Sequence, residues 1–152
     1  MISALKAVEL LCYVSNNSVT NLQVHRLLYI ANMIYLGDYN KRLINEDFEA
    51  WEYGPVLSIV YQRFKHFGVG RICPEYDVSQ DIDKFKPEVE LLQNIWDSFR
   101  HRSGTSLIAF THQDFGAWKK VYQAGLNKII PDDLIIEEYS EMVANKLIWE
   151  EE

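Results

Sequence analysis

Between Val24 and Tyr35 the apolar side chains Val24, Leu27, Leu28, Ala31, Ile34 and Tyr35 fall three or four residues apart. That spacing gathers them on one face of an α-helix and fits no strand, so the chain folds at least in part as packed helices. Thr20 or Asn21 is placed to accept a hydrogen bond from a free N–H of the first turn, and Gly37 reads as the stop. An earlier stripe, Ile2, Leu5, Val8, Leu11 and Cys12, predicts a first helix that ends in the polar turn Ser15-Asn16-Asn17-Ser18. The two together read as a helical hairpin.

Farther along, Phe48-Glu49-Ala50-Trp51-Glu52-Tyr53 alternates imperfectly and is rich in aromatics, which predicts a short strand. Gly54-Pro55 ends it, and Pro55 suits the first turn of a following helix that carries Val56, Ile59, Val60 and Phe64 inward and stops near Gly68 or Gly70. Residues 69–87 read as an edge strand near Arg71-Ile72-Cys73 and then a polar excursion. Pro87 opens another helix through Val89, Leu92, Ile95, Trp96 and Phe99. Shorter helices are expected at Thr105–Thr111 and Ala117–Tyr122, a second short strand at Asn127–Ile130, and a last helix capped by Asp132 or Asp133. The expected fold is mainly α with a small β element (α+β). It is a compact helical bundle with a short hairpin or sheet, one domain over 1–152 with an acidic C-terminal helix and tail at 132–152.

With 152 residues, 48% of them apolar, the chain has the length and composition of one packed domain, which leaves little room for separate substrate and cofactor domains. The net charge of −7 is local. Eight acidic residues from Asp132 to Glu152 face Lys146 alone, which leaves 14 charges of each sign in residues 1–131. No basic stripe is present to track a phosphate backbone, so direct nucleic-acid binding is not expected. Cys12 and Cys73 have neither a redox nor a zinc spacing and read as reduced thiols. Glu9 interrupts any leader-like apolar run, and no stretch approaches a membrane span. The expectation is a soluble, cytoplasmic protein with no membrane partner.

Glycine-rich phosphate loops are absent, and Gly68-Val69-Gly70 reads as a helix terminator. The histidines His25, His66, His101 and His112 lack metal-ligand spacing, and His25 beside Arg26 is read on the exposed side of its helix. Thr111-His112-Gln113-Asp114 holds the components of a nucleophilic relay; the plainer reading is an interhelical turn in which Thr111 and Asp114 cap the next helix. Glu49 and Glu52 flank Trp51 and read as solvent-facing charges on an edge strand rather than an acid–base pair. No cofactor or metal is implied. The aromatic block Trp51, Tyr53, Tyr61, Phe64 and Phe67 is divided between core and protein–protein contact.

The run Phe48-Glu49-Ala50-Trp51-Glu52-Tyr53-Gly54-Pro55-Val56, followed by Val60-Tyr61 and Phe64, resembles the signature of the SocA-like antitoxin family. That family is also called the Panacea domain and includes phage-associated GepA proteins. Leu27-Leu28-Tyr29-Ile30-Ala31 and Tyr35-Leu36-Gly37 resemble its upstream helix, and Leu107-Ile108, Thr111-His112 and Trp118 its downstream element. Arg26 stands where a lysine is usual, and Ala117 precedes Trp118 where proline is common.

The resemblance implies a non-enzymatic antitoxin that binds a cognate toxin protein and neutralises it directly or by delivery to a protease, with a protease or chaperone as further partner. It makes Leu27, Leu28, Tyr29, Trp51, Tyr53, Gly54, Pro55, Val56, Tyr61, Phe64, Thr111, His112 and Trp118 the structural motif. Glu49, Glu52, Tyr53, Glu137, Glu138 and Glu141 are the expected partner-binding residues. The alternatives are a hydrolase or transferase built on Thr111, His112 and Asp114, and a DNA-binding regulator built on the hairpin of residues 2–36 with Arg26 as its base-reading cation. Trp51, taken as filling the core beneath the Gly54-Pro55 corner, is expected to cost roughly 3–5 kcal/mol when changed to Ala, read as a fall in the melting midpoint.

Overall fold

In the computed structural model, residues 1–148 are described, apart from the side chains at positions 105, 108 and 109. The expected acidic tail at Glu150, Glu151 and Glu152 lies outside the described residues.

Helix α1 (Ala4–Val14) begins where the Ser3 side chain accepts from the Lys6 N–H, and α2 (Asn21–Tyr39) begins at Thr20. Thr20 and Gln23 form a reciprocal capping box, each side chain accepting from the other's backbone N–H. The expected N-terminus is therefore confirmed. The expected stop at Gly37 is not, because α2 runs on to Tyr39 and ends at Asn40 in the left-handed conformation with φ 55°.

Gly37 serves packing instead. A Cβ there would lie 1.8 Å from the Tyr139 ring, so only a glycine lets the last helix cross at this point.

Strand β1 (Glu49–Trp51) and β2 (Gly54–Val56) form a tight antiparallel hairpin in which Trp51 faces Gly54 and Ala50 faces Pro55. Pro55 thus sits in a strand, not at a helix start; it is tolerated because β2 is an edge, where a missing donor breaks no ladder bond. Helix α3 (Ser58–Phe64) begins only after Leu57, and Ile59, expected inward, is exposed. The short strand β3 (Lys128–Ile129) pairs with the other side of β1, giving the order β2-β1-β3. The predicted edge strand is therefore the central one.

Residues 71–73 form no strand: Arg71 makes a lone bridge to Thr20, and two 3-10 turns at Val78–Gln80 and Ile82–Phe85 follow. Ile72 and Val78 are buried and fasten this connection to the core.

Helix α4 (Lys86–Phe99) has Pro87 in its first turn, as expected, and buries Leu92, Ile95, Trp96 and Phe99. Helices α5 (Gly104–Thr111) and α6 (Ala117–Val121) follow, and α7 (Asp132–Ala144) closes the described chain. Two expected caps are absent. Helix α6 starts at Gly116 and α7 at Pro131, neither with a side-chain cap. Asp132 instead receives Arg42 Nε at 2.9 and 3.1 Å.

One hydrophobic core runs from Ile2 to Ile148, with α2 at its centre, packed by α1, α4, α5, α7 and β2. Of α2, every residue from Gln23 to Ile34 is buried. The burial falls on every face of the helix, not on one stripe. Among the described residues, no helix is long and apolar enough to cross a membrane.

Gly37→Ala is expected to destabilise the protein by about 1–3 kcal/mol, although alanine is the better helix former, because the methyl must displace the Tyr139 ring. Urea unfolding of the single variant and of its combination with Tyr139→Ala checks this, since removing the ring should restore most of the loss.

Candidate functional site

Burial of α2 on all sides puts its polar residues in the interior, where each must find a partner or leave a donor or acceptor unmade. His25 and Arg26, expected on an exposed face, are only 4% and 6% exposed. His25 Nδ1 accepts the Leu57 N–H at 3.2 Å and so caps the entry to α3 in place of a side chain of α3 itself. Burial, reinforced by the Arg26 charge, pushes the His25 pKa down to about 3, so the ring stays neutral. Arg26 Nη2 donates to the Tyr53 carbonyl, and burial lowers the guanidinium pKa to about 10, which leaves it charged at neutral pH.

Above that clamp lies the hairpin turn. Gly54 has φ 131°, a conformation unfavourable for any side chain, and a Cβ there would reach within 3.3 Å of Arg26 Nε and Nη2. The turn is therefore pressed directly onto the guanidinium.

On its other side Trp118 Nε1 donates to the Trp51 carbonyl at 2.6 Å. Trp118 is sandwiched between His112, at 3.7 Å between centroids and 5° between planes, and Tyr122, at 4.8 Å and 16°. Thr111 Oγ1 donates to the Leu107 carbonyl. His112 is thus part of an aromatic stack beneath the hairpin, and burial lowers its pKa while the Tyr53 backbone partly opposes that shift. Asp114 is exposed.

Tyr29 and Glu138 form a second joint. Tyr29 donates to Glu138 Oε1 at 2.5 Å, and the Ala117 N–H donates to the same oxygen at 3.1 Å, tying α2, α6 and α7 together. Glu138, expected on the acidic partner face, is 1% exposed, and burial raises its pKa. It is a structural residue and leaves the proposed contact set. Glu137 and Glu141 are exposed on the same helix, with Glu137 3.6 Å from Lys120.

Around the hairpin, Asn21, Leu22, His25, Arg26, Trp51, Glu52, Tyr53, Val56, Tyr61, Lys65 and Gly68 enclose a cleft of about 430 Å³. Trp51 is half-buried in its wall rather than part of the core beneath. Its ring lies 5.0 Å from that of Tyr61, and its Nε1 donates to Glu49 Oε1 at 2.9 Å. Glu49 is therefore engaged within the hairpin, while Glu52 and the 63% exposed Tyr53 project from its tip.

Of the residues singled out in the sequence, Gly54, Pro55 and Val56 form this corner, Tyr61 lines its cleft, Thr111 lies against Gly54, and Trp118, with His112 stacked on it, bonds it from the side, while Leu27, Leu28, Tyr29 and Phe64 are buried in the core. Arg26 and His25, read on an exposed face, are instead buried groups that hold the hairpin turn and the entry to α3. Leu27, Leu28, Ile30, Met33 and Ile34 carry apolar character past a single stripe, and that is the sequence signal for a helix buried all round. Among the described residues no group of three or more His, Cys, Asp or Glu could hold a metal ion. The DNA-reading alternative loses its cation, since Arg26 is enclosed.

Two outcomes are expected. His25, depressed from 6.5 to about 3, contributes stability that is present above pH 6.5 and is lost as pH falls toward 3. The loss steepens to about 1.4 kcal/mol per pH unit, and His25→Gln should flatten that part of a pH series of urea unfolding curves. Trp51→Ala, at a half-buried wall, should cost about 1–2 kcal/mol, less than the full-burial figure; a global loss of fold would return Trp51 to the core.

The family model described as "Antitoxin SocA-like, Panacea domain" matches residues 24–119, the stretch from α2 to α6 that carries this corner. "Antitoxin SocA" of Caulobacter vibrioides (strain NA1000 / CB15N) is 29% identical over 114 residues, which make up 66% of this chain. The match spans 58% of that relative's length. No solved structure matches the chain significantly. The match takes in well over half of the chain, from α2 to α6, and the chain belongs to the SocA-like antitoxin, Panacea domain family.

Proposed function

We propose that this chain is an antitoxin that binds a cognate toxin protein and neutralises it without catalysis, either by occluding it or by handing it to a protease or chaperone. The observation that carries the reading is the construction of the hairpin tip. Buried groups from α2 and α6 hold its backbone, while Tyr53 and Glu52 are left projecting into solvent. An exposed aromatic on a backbone held in place loses little freedom on binding and suits a contact hot spot. The relative named as an antitoxin supports the same role.

The proposed contact surface comprises Tyr53, Glu52, Glu49 and Tyr61 around the hairpin, extended by Glu137 and Glu141 on α7. Carboxylates at that rim steer encounter with a basic partner and act mainly on the association rate. We further assign the whole of 1–152 to one Panacea domain acting in the cytoplasm, in keeping with Cys12 and Cys73 as free thiols. Burial pushes the Cys12 pKa up to about 12, which suits a core thiol and not a nucleophile.

Co-expression with each product of the genes beside it tests the reading: one such product should arrest growth alone, be relieved by this chain, and co-purify with it. Absence of both rescue and complex for every neighbour would overturn it. Within a rescuing pair, Tyr53→Ser should leave the melting midpoint within about 0.5 kcal/mol of stability and weaken the complex at least about tenfold, the range of a hot-spot residue.

A further inference from the structure

Arg26 carries a positive charge that the fold does not neutralise. It is 6% exposed, and among the described residues it pairs with no carboxylate. Nη2 is bonded to the Tyr53 carbonyl, while Nε is buried with no hydrogen-bond partner. Buried guanidinium groups are ordinarily paired, because an uncompensated charge in the interior is strongly unfavourable. A fold that keeps one at the edge of a 430 Å³ cleft has a place for the missing anion.

The rest of the cleft has the same polarity. His25, a residue of the lining, accepts at Nδ1 from Leu57, so its ring proton resides on Nε2 and it brings no negative charge to the cleft. Lys65 stands at the rim. The sole carboxylate of the lining, Glu52, is exposed on the tip. The walls are the Trp51 and Tyr61 rings, 5.0 Å apart, with Val56 and Leu22.

We propose that this cleft is a recognition pocket for one carboxylate on an apolar stem, presented by the protein partner as an acidic side chain or a chain terminus. Arg26 pairs with the carboxylate, and Trp51 and Tyr61 hold the stem. The inference rests on the partner-binding reading above and names the chemistry of the group that enters.

A monoanion is favoured over phosphate on two grounds. Arg26 and Lys65 against Glu52 leave the lining one net positive charge, which one carboxylate matches, whereas a dianion would leave a surplus between apolar walls. The chain's net charge of −7 also opposes the approach of a polyanion. A partner is favoured over a free metabolite because the cleft is continuous with the exposed Tyr53 tip.

The test is an NMR titration of the 15N-labelled full chain with four probes. These are N-acetylphenylalanine, N-acetyl-phenylalanyl-aspartyl amide, N-acetylphenylalaninamide and sodium phosphate. Both acids should shift the Trp51 indole N–H and the Leu57 amide saturably, and the neutral amide should bind about tenfold more weakly or worse, as the loss of a charge-assisted bond requires. The tighter of the two acids identifies side chain or terminus as the source. Arg26→Gln should abolish the preference for acid over amide.

Because Arg26 also holds the hairpin, Tyr61→Ala, at a 39% exposed wall, is the second variant; it should weaken both acids while the protein keeps a cooperative unfolding transition and the Arg26 clamp stays intact. Equal binding of acid and amide, no shift with either acid, or phosphate displacing the acids at equal concentration would each overturn the proposal. No toxin is present in these titrations. A negative result therefore leaves the antitoxin reading to its own co-expression assay, and acid-selective binding beside failed rescue would leave the pocket without that role.

Discussion

A helix surrounded by protein on every face has no side to give to water, and α2 is such a helix. Its polar residues are then obliged to bond to whatever packs against them, and each of those bonds fixes a different neighbour. Gln23 Nε2 donates to the Arg102 carbonyl after α4. His25 caps α3, Arg26 holds the hairpin turn, and Tyr29 reaches Glu138 on α7. Asn32 Oδ1 accepts the N–H groups of Leu43 and Ile44, fixing the loop that also bridges to Ile2. Apolar contact supplies most of the driving force for collapse, yet it is non-directional. The register of the surrounding elements comes from this row of five polar side chains.

The hairpin shows what that arrangement achieves. Two strands of three residues each are too short to persist alone in water. Here the turn is held from below by Arg26 on the Tyr53 carbonyl and from the side by Trp118 on the Trp51 carbonyl, so both flanks of a tight turn are bonded to buried groups. His112 and Tyr122 brace the Trp118 ring on its two faces. The residues that carry the family resemblance are for the most part these joints and not the surface they present. Tyr53 belongs to that resemblance and also projects from the joint beside Glu52, so one turn residue is held through its backbone and exposed through its ring.

Elements set by local pattern were legible in the sequence. The cap at Thr20, one of two candidates with Asn21, Pro87 in the first turn of α4, the periodic stripe of α1 and the short strand before Pro131 all depend on residues within a few positions of one another. What escaped were features decided by partners far along the chain. His25 and Arg26 were placed in solvent because one apolar stripe implies one buried face, and the elements covering the other faces of α2 come from as far away as α7. Glu138 was read as one more charge of an acidic helix, and its burial depends on Tyr29, 109 positions away. Pro55 satisfied two rules equally, helix start and edge strand, and only the pairing with β1 separates them. Gly37 looked like a terminator for the same reason: a glycine needed for close approach and a glycine needed for a left-handed turn are the same letter.

The resemblance places a lysine where this chain has Arg26, and the difference bears on the cleft. A lysine ammonium is compact and strongly hydrated, with three donors on a flexible stem, and one carbonyl such as that of Tyr53 can engage it at the end of its reach. Arginine presents five N–H donors in a rigid fork, so bonding Nη2 to that carbonyl fixes the plane of the whole guanidinium and leaves other donors aimed where the plane dictates. Holding the hairpin needs one of those donors. The surplus, enclosed under Gly54 and beside the cleft, adds nothing to the clamp, and burial penalises it enough to lower the pKa to about 10. A clamp alone would be better made by the less demanding side chain. The excess of donors fits the carboxylate proposed above, and the cleft beside Trp51 and Tyr61 is where such a group has room to enter.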